Sequence, residues 1–312
     1  MPINEANIKL VFFEIANVEL PIWLPVIWGI VIGLVFSTIG AAGGLLASVG
    51  LISVMGITNV NLIKPTAQIL TLLTPLIAVP AYYKQRRLVP ALAILLGGGG
   101  IIGALIGSTL SATYLADMKA FKPFFGIFVL AIAAQLAWVL ILKHKSSDDA
   151  AARAASLFEF LIEQGSNPDT AGVRCIKRSP VRMVFEFGGE TFQFNPLLPF
   201  LVGVFVAIIA SALGVGGGFL IVPFMTQLLG LPMFIVAGTA TLAIFVSSAA
   251  SISNYLFMGI RVDIPLLLFL GFGVIAGSLL GPVMSRHIPE KWLRFFLSII
   301  LLFIGLRYLG VL

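Results

Sequence analysis

The stretch ALGVGGGFLIVP, residues 212–223, sets four glycines, Gly214, Gly216, Gly217 and Gly218, within five positions of an apolar run. Each glycine inside a helix costs about 1 kcal/mol relative to alanine, so four together predict that one helix stops here and another begins. The surroundings name the medium. Residues 20–63, 65–83, 88–116, 123–142, 191–260 and 264–285 contain no Asp, Glu, Lys or Arg. About 20 apolar residues cross a bilayer as a helix, so these runs predict a polytopic all-α membrane protein. Composition agrees. The 312 residues are 59% hydrophobic and 10% charged, where a soluble domain carries about 25% charged residues. Residues 1–19 are too acidic for a cleavable signal peptide, and no small-residue cleavage site follows.

The net charge is +6, and the linker of residues 143–196 holds seven basic and seven acidic residues. The excess positive charge therefore sits at the loops of the membrane part, where it suits lipid headgroups and topology control. No basic run interleaved with aromatics points to nucleic acid. Cys175 is the only cysteine, which excludes an intrachain disulfide, and His144 and His287 lie far apart. No metal and no cofactor is expected.

The chain reads as two homologous halves. Gly40-Ala-Ala-Gly-Gly44 aligns with Gly214-Val-Gly-Gly-Gly218, and Pro65-Thr-Ala-Gln68 with Gly238-Thr-Ala-Thr241. Tyr82 aligns with Tyr255, and Gly98-Gly-Gly100 with Gly271-Phe-Gly273, always at an offset of 173 or 174. Each half begins with two short apolar pieces joined at the glycine cluster, residues 22–55 and 197–229, and continues with three full spans. The opening piece is too long for one crossing of a ~30 Å core and too short for two full spans. A helical hairpin that dips in and returns, or two short tilted helices, fits this length. Either gives an even number of crossings, and three more invert the second half relative to the first. The positive-inside count does not decide between inverted and parallel repeats: both give eight basic residues against six. Inversion rests on segment length alone.

Four regions follow: an N-terminal segment (1–20), a first transmembrane repeat (21–143), a small soluble α+β insertion (144–196) and a second transmembrane repeat (197–312). Within the insertion, residues 149–163 read as a short amphipathic helix. Arg182-Met-Val-Phe-Glu-Phe187 and Glu190-Thr-Phe-Gln-Phe194 alternate around Gly188-Gly189, a hairpin signature.

Breaking a helix in lipid strands N–H and C=O groups at several kcal/mol each. A cavity, water or ligand must satisfy them. The residues after each cluster open a new helix, and a helix N-terminus offers free N–H groups and a positive dipole end to an anion. Gly43, Gly44, Gly214, Gly216, Gly217 and Gly218 are therefore candidate substrate-binding positions. The more widely spaced glycines at 98–100, 103, 107, 271, 273 and 277 read as helix contact faces. Polar residues on the next spans extend the candidate site: Thr66, Gln68, Thr71 and Thr74 in the first half, Thr239, Thr241, Ser247, Ser248, Ser251 and Asn254 in the second. Thr66, Gln68, Thr239, Thr241 and Ser248 are assigned to the binding shell. Tyr82, Tyr255 and Asn254 are candidate gates. Arg86, Arg87 and Arg261 sit at the mouths, to attract anions or to anchor lipid.

Gly214-Val-Gly-Gly-Gly-Phe-Leu-Ile-Val-Pro223, Gly230-Leu-Pro232, Ala237-Gly-Thr-Ala-Thr241, Asn254-Tyr255, Gly259-x-Arg261-Val-Asp263 and Ile288-Pro-Glu-Lys-Trp-Leu293 together resemble the sulfite exporter TauE/SafE family of membrane transporters. The second half carries the resemblance along its length. The first half has a weaker glycine motif and lacks an acidic residue where the second has Asp263, and the insertion exceeds the family's usual connection. The resemblance implies export of sulfite or small organosulfonates from a cell inner or plasma membrane.

The reading is a transporter of a small sulfur-containing oxyanion, not an enzyme. No carboxylate lies in the middle of a span, so efflux driven by the membrane potential suffices and proton coupling stays open. The rival is a membrane assembly or sensor subunit acting through the insertion on a cytoplasmic partner, and homo-oligomerisation is left open.

Overall fold

The computed structural model describes residues 10–39, 43–141, 150–164, 172–179, 182–284 and 290–311. Residues 40–42 of the first glycine cluster, both histidines and residues 288–289 of the closing motif lie outside them. The described chain starts with a hairpin, β1 (Leu10–Phe13) and β2 (Val18–Pro21). Then come α1 (Trp23–Ile39), α2 (Gly43–Val49) prolonged by a π-helical turn (Gly50–Val54), α3 (Val60–Lys84), α4 (Pro90–Tyr114) and α5 (Met118–Ile141). Between the halves stand α6 (Ala150–Glu163) and an antiparallel sheet ordered β3 (Arg174–Arg178), β4 (Met183–Phe187), β5 (Glu190–Phe194). The second half repeats the order of the first: α7 (Leu197–Leu213), α8 (Gly218–Pro223) with its π-helical turn (Phe224–Leu228), α9 (Met233–Phe257), α10 (Ile264–Met284) and α11 (Glu290–Tyr308). By length and composition α3, α4, α5 and α9 can each cross a membrane, and α1, α7, α10 and α11 supply shorter apolar helices.

Local chemistry sets the boundaries. The Asn59 side chain accepts from Leu62 N and starts α3. Pro90 stands at the start of α4, where its missing N–H costs nothing. Gly214 ends α7 in the left-handed region at φ 74°, which a side chain would strain. Gly188 and Gly189, at φ 54° and 73°, make the β4–β5 turn.

Two crossings organise the bundle, and both join one half to the other. α1 runs parallel to α10: Gly29 packs on Leu270 and Gly273, and Gly277 on Ile30. α4 runs parallel to α7: Gly99 packs on Phe200, Gly103 on Val204 and Gly107 on Ile208. At Gly99, Gly103, Gly107, Gly273 and Gly277 a Cβ would collide with a backbone carbonyl of the facing helix, so the backbones touch because no side chain intervenes. Gly98 faces no such neighbour and takes no part. α3 crosses α9 in the antiparallel sense: Tyr82, late in α3, lies against Gly238, early in α9, while Lys64, early in α3, and Tyr255, late in α9, both reach the end of α7. α5 meets α11 likewise, through Gly126 on Tyr308 and Leu130 on Gly305.

The N-terminal hairpin is tied to the second half by one carboxylate. Asp263, 1% exposed, accepts from Ile15 N and Ala16 N through Oδ2, and from Leu266 N through Oδ1 at the start of α10. α6 and the sheet pack on the membrane part as well. Phe158 lies against Phe187 and against Phe234 of α9, and Val173 N donates to Arg86 O.

Candidate functional site

The two breaks meet. The space where Gly44 would carry a side chain holds the Val215 carbonyl and the Thr71 hydroxyl, and Gly216, at φ 68°, abuts Thr71. Gly214 sits on the backbone of Lys64, Gly217 against Val206, and Gly43 against Phe36. Protein thus fills the space beside these five glycines. What α2 and α8 can offer a ligand there is their opening amides, Gly218 and Phe219 in α8, which helix geometry leaves without an intrahelical acceptor.

The carbonyl end of α7 is satisfied by side chains from four other helices. Gln68 Nε2 of α3 reaches Ala210 O at 3.5 Å, Tyr255 Oη of α9 donates to Ser211 O at 2.8 Å, and Ser111 Oγ of α4 donates to Ala212 O at 2.5 Å. Ser48 Oγ of α2 donates to Gly214 O at 3.3 Å. This is how the fold meets the penalty for a broken helix. Tyr255 is fully buried and Gln68 nearly so; here both brace the break.

Lys64 separates two charge-free runs and so reads in the sequence as a loop cation, but α3 begins four residues earlier and buries it completely. Its ammonium donates to Asn61 Oδ1 at 3.3 Å, Ser111 O at 3.1 Å and Leu115 O at 2.8 Å, and lies 5.4 Å from the Phe121 ring centroid. The last two carbonyls close α4, whose negative dipole end suits a cation. No carboxylate pairs with it among the described residues.

A cavity of roughly 270 Å³ opens beside the breaks, between the ends of α1 and α10, the C-terminal half of α3, the N-terminal half of α9, and α8. Its polar lining is Ser37, Thr74, Tyr82, Thr241 and Ser278. Ser37 lies just before the first break, and Val222, also lining, just after the second. Most of these hydroxyl protons are already committed: Thr241 Oγ1 donates to Ala237 O at 2.6 Å and Ser37 Oγ to Leu34 O at 3.1 Å. The loosest bonds are Thr74 Oγ1 to Ser278 Oγ at 3.3 Å and Ser278 Oγ to Gly33 O at 3.4 Å. Those two hydroxyls turn most cheaply toward an incoming acceptor. Thr66 and Thr239, buried and bonded to Leu62 O and Ile235 O, lie off the lining; Thr239 also accepts from Val89 N. Ser248 is buried off the lining too, and Asn254 ties α9 to α4 through Ser108 Oγ and Thr109 Oγ1.

Arg87 packs against the cavity wall at Tyr82. Its guanidinium packs over the rings of Phe234 at 4.8 Å and Tyr82 at 5.3 Å, and Nε donates to Phe234 O. Burial pulls its pKa below the ordinary arginine value, and Tyr82 opposes that pull. Arg86 lies alongside, exposed, with φ 54°. Arg261 is exposed beyond the far end of α9, a helix of 25 residues and about 37 Å. Of the candidate residues, Thr241 and Tyr82 line the cavity, and Arg87 packs on Tyr82. Ser37 and Ser278 are single serines with no motif around them in the sequence, and Thr74 stands out there only as one polar residue of a helix face.

Among curated proteins, a probable membrane transporter protein, YunE, from Bacillus subtilis (strain 168) is 24% identical over 296 residues, covering 92% of this chain and 97% of that one. No solved structure matches. The family model described as sulfite exporter TauE/SafE matches residues 25–308, and the chain belongs to that family.

Proposed function

We propose that this multi-pass plasma-membrane protein exports a small sulfur-containing oxyanion, sulfite or a short organosulfonate, through the cavity between α3 and α9. Membership of the family and the likeness to a probable membrane transporter support membrane transport. The observation that carries the finer reading is the cavity: uncharged hydroxyls on its wall, an arginine packed against that wall, and both helix breaks beside it. At about 30 Å³ per water its volume admits a small ion with part of its hydration. Thr74 and Ser278 turn to donate, Thr241 follows by giving up Ala237 O, and the opening amides near Gly43, Gly44 and Gly218 complete the shell. Inside-negative potential favours efflux by about 2.3 kcal/mol per charge per 100 mV, which suffices without a second ion.

The same reading takes the two halves as inverted repeats. The counterparts α3 and α9 cross antiparallel, and so do α5 and α11, as inversion requires. Inverted repeats with broken helices are a recurring transporter design.

The test is sulfite and sulfonate efflux from loaded proteoliposomes, with Ser278→Ala and Thr74→Val beside the parent. Losing one bond to a charged group costs about 1.5–3 kcal/mol, or roughly 10- to 150-fold in affinity. Each variant should lose that much for the anion and little for a neutral solute of the same size. Unchanged anion affinity in both variants would remove the cavity from the pathway, and absence of flux in the parent would remove the substrate class. The rival role as an assembly subunit finds less support, because α6 and the sheet are seated beside the cavity wall at Phe234 and Arg86.

A further inference from the structure

A second polar region lies on the other side of the breaks, and it is closed. The repeat offset of 173 or 174 maps six of the thirteen lining residues of the open cavity onto it: Tyr82 onto Tyr255, Ala78 onto Ser251, Thr74 onto Ser247, Thr241 onto Gln68, Ala237 onto Lys64 and Ser37 onto Ser211; Ser278 and Leu279 instead have the exposed Leu105 and Ile106 as counterparts. None of the six counterparts is more than 8% exposed. They come from the N-terminal half of α3, the C-terminal half of α9 and the end of α7, a set related to the cavity walls by the antiparallel α3–α9 crossing.

A packed core would fill this place with apolar side chains. It holds instead an ammonium, an amide, a phenol and three serine hydroxyls, and two of the polar atoms are stranded. Gln68 Oε1 and Ser251 Oγ are buried with no hydrogen-bond partner among the described residues. Such atoms cost free energy and are exceptions in a finished interior. Their positions are those of Thr241 and Ala78 on the open side, which line the void.

We infer that the cluster of Lys64, Gln68, Ser211, Ser251 and Tyr255 is the other half of the transport path, shut in this conformation and opening to the opposite face when the cavity between α3 and α9 closes. The inference rests on the inverted-repeat reading above. Gln68 Oε1 and Ser251 Oγ are then wall atoms that regain partners on opening. Lys64 is the basic side chain on this side, held at the end of α4 by Ser111 O and Leu115 O, as Arg87 is beside Tyr82 on the other. Tyr82 and Tyr255 exchange states as each half opens.

The experiment uses the full chain with Cys175→Ser, which removes the only cysteine, in oriented membranes with an impermeant methanethiosulfonate reagent. Ala78→Cys should label from the face that bears the Arg86 loop. Ser251→Cys should label slowly, from the opposite face, through the minor conformer. Adding Met233→Trp, at an exposed position on the cavity lining, puts a ring where the walls must meet on closing and holds the cavity open. It should slow labelling of Ser251→Cys by about tenfold or more, as expected when one conformer loses a decade in population. Ala78→Trp is the second filler, and gel filtration checks that each variant is folded. No labelling of Ser251→Cys in the parent, or an unchanged rate in both folded fillers, overturns the inference. Labelling from the same face as Ala78→Cys overturns the inference and the inverted repeat together. Alternating labels in a protein that moves no sulfite would retain the two-sided path and reject only the proposed substrate.

Discussion

Tyr255 shows what a broken helix asks of single residues. A candidate gate on sequence grounds, it is fully buried in this conformation and spends its one proton on Ser211 O. Tyr255→Phe keeps the ring and leaves that carbonyl bare, which costs about 1–3 kcal/mol. Thermal unfolding in detergent should show a clear loss of stability, whereas Tyr82→Phe, on the cavity wall, should leave the melting temperature near that of the parent. Equal melting temperatures for all three would deny Tyr255 its bracing role. Glycine follows the same logic. Gly217 packs against Val206, so Gly217→Val damages the break whether or not an anion binds there and cannot separate the two readings. Serine and threonine were legible as a polar face but not as donors. The sequence shows a hydroxyl at Thr239 and at Thr241, and only the fold shows that both protons are bound to the preceding turn.

At the scale of elements, spacing was the most readable signal. Glycines three and four apart on α4 and α10 announced contact faces, and those faces meet α7 and α1 backbone to backbone. Gly103→Leu should therefore separate α4 from α7 and sharply lower the yield of folded protein. Gly98→Leu, on a side with no neighbour within 4 Å, should be tolerated; a comparison by fluorescence-detected gel filtration checks both, and equal yields would break the contact-face account. The alternation around Gly188-Gly189 located the β4–β5 turn because its period and its turn residues agree. Tertiary partners were not legible. Asp263 looked like a loop residue carried by a motif, but it closes a bond network over 247 positions to the N-terminal hairpin. Asp263→Ala removes both its N-cap bond and the two hairpin bonds. Protease should then cut near residues 14–17 at least several-fold faster, while Asp263→Asn, which keeps an acceptor oxygen, should fall between parent and Ala.

At the scale of the whole molecule, the insertion reaches the cavity wall through a short chain of rings. Phe158 of α6 rests on Phe234, the same ring carries the Arg87 guanidinium, and Arg87 in turn covers Tyr82 on the cavity wall. Composition could mark residues 144–196 as a polar insertion. It could not say where they dock, because docking depends on two apolar rings brought together from positions 76 residues apart. If this seat orders Arg87, then Phe158→Ala loosens it without touching the lining. Truncating a buried phenylalanine costs about 3–5 kcal/mol where the site cannot collapse, and here the loss falls mainly on the attachment of α6. The expected result is a higher KM for anion efflux, a nearly unchanged maximal rate, and greater sensitivity of KM to salt as Arg87 becomes more exposed to screening. Arg87→Lys separates charge from seat: it keeps the cation but loses the flat stacking surface, and should raise KM less than Arg87→Met. An unchanged KM in Phe158→Ala, with α6 released as judged by proteolysis, would mean that the insertion sits beside the cavity without influencing it. Its function would then have to be sought in a partner outside the membrane.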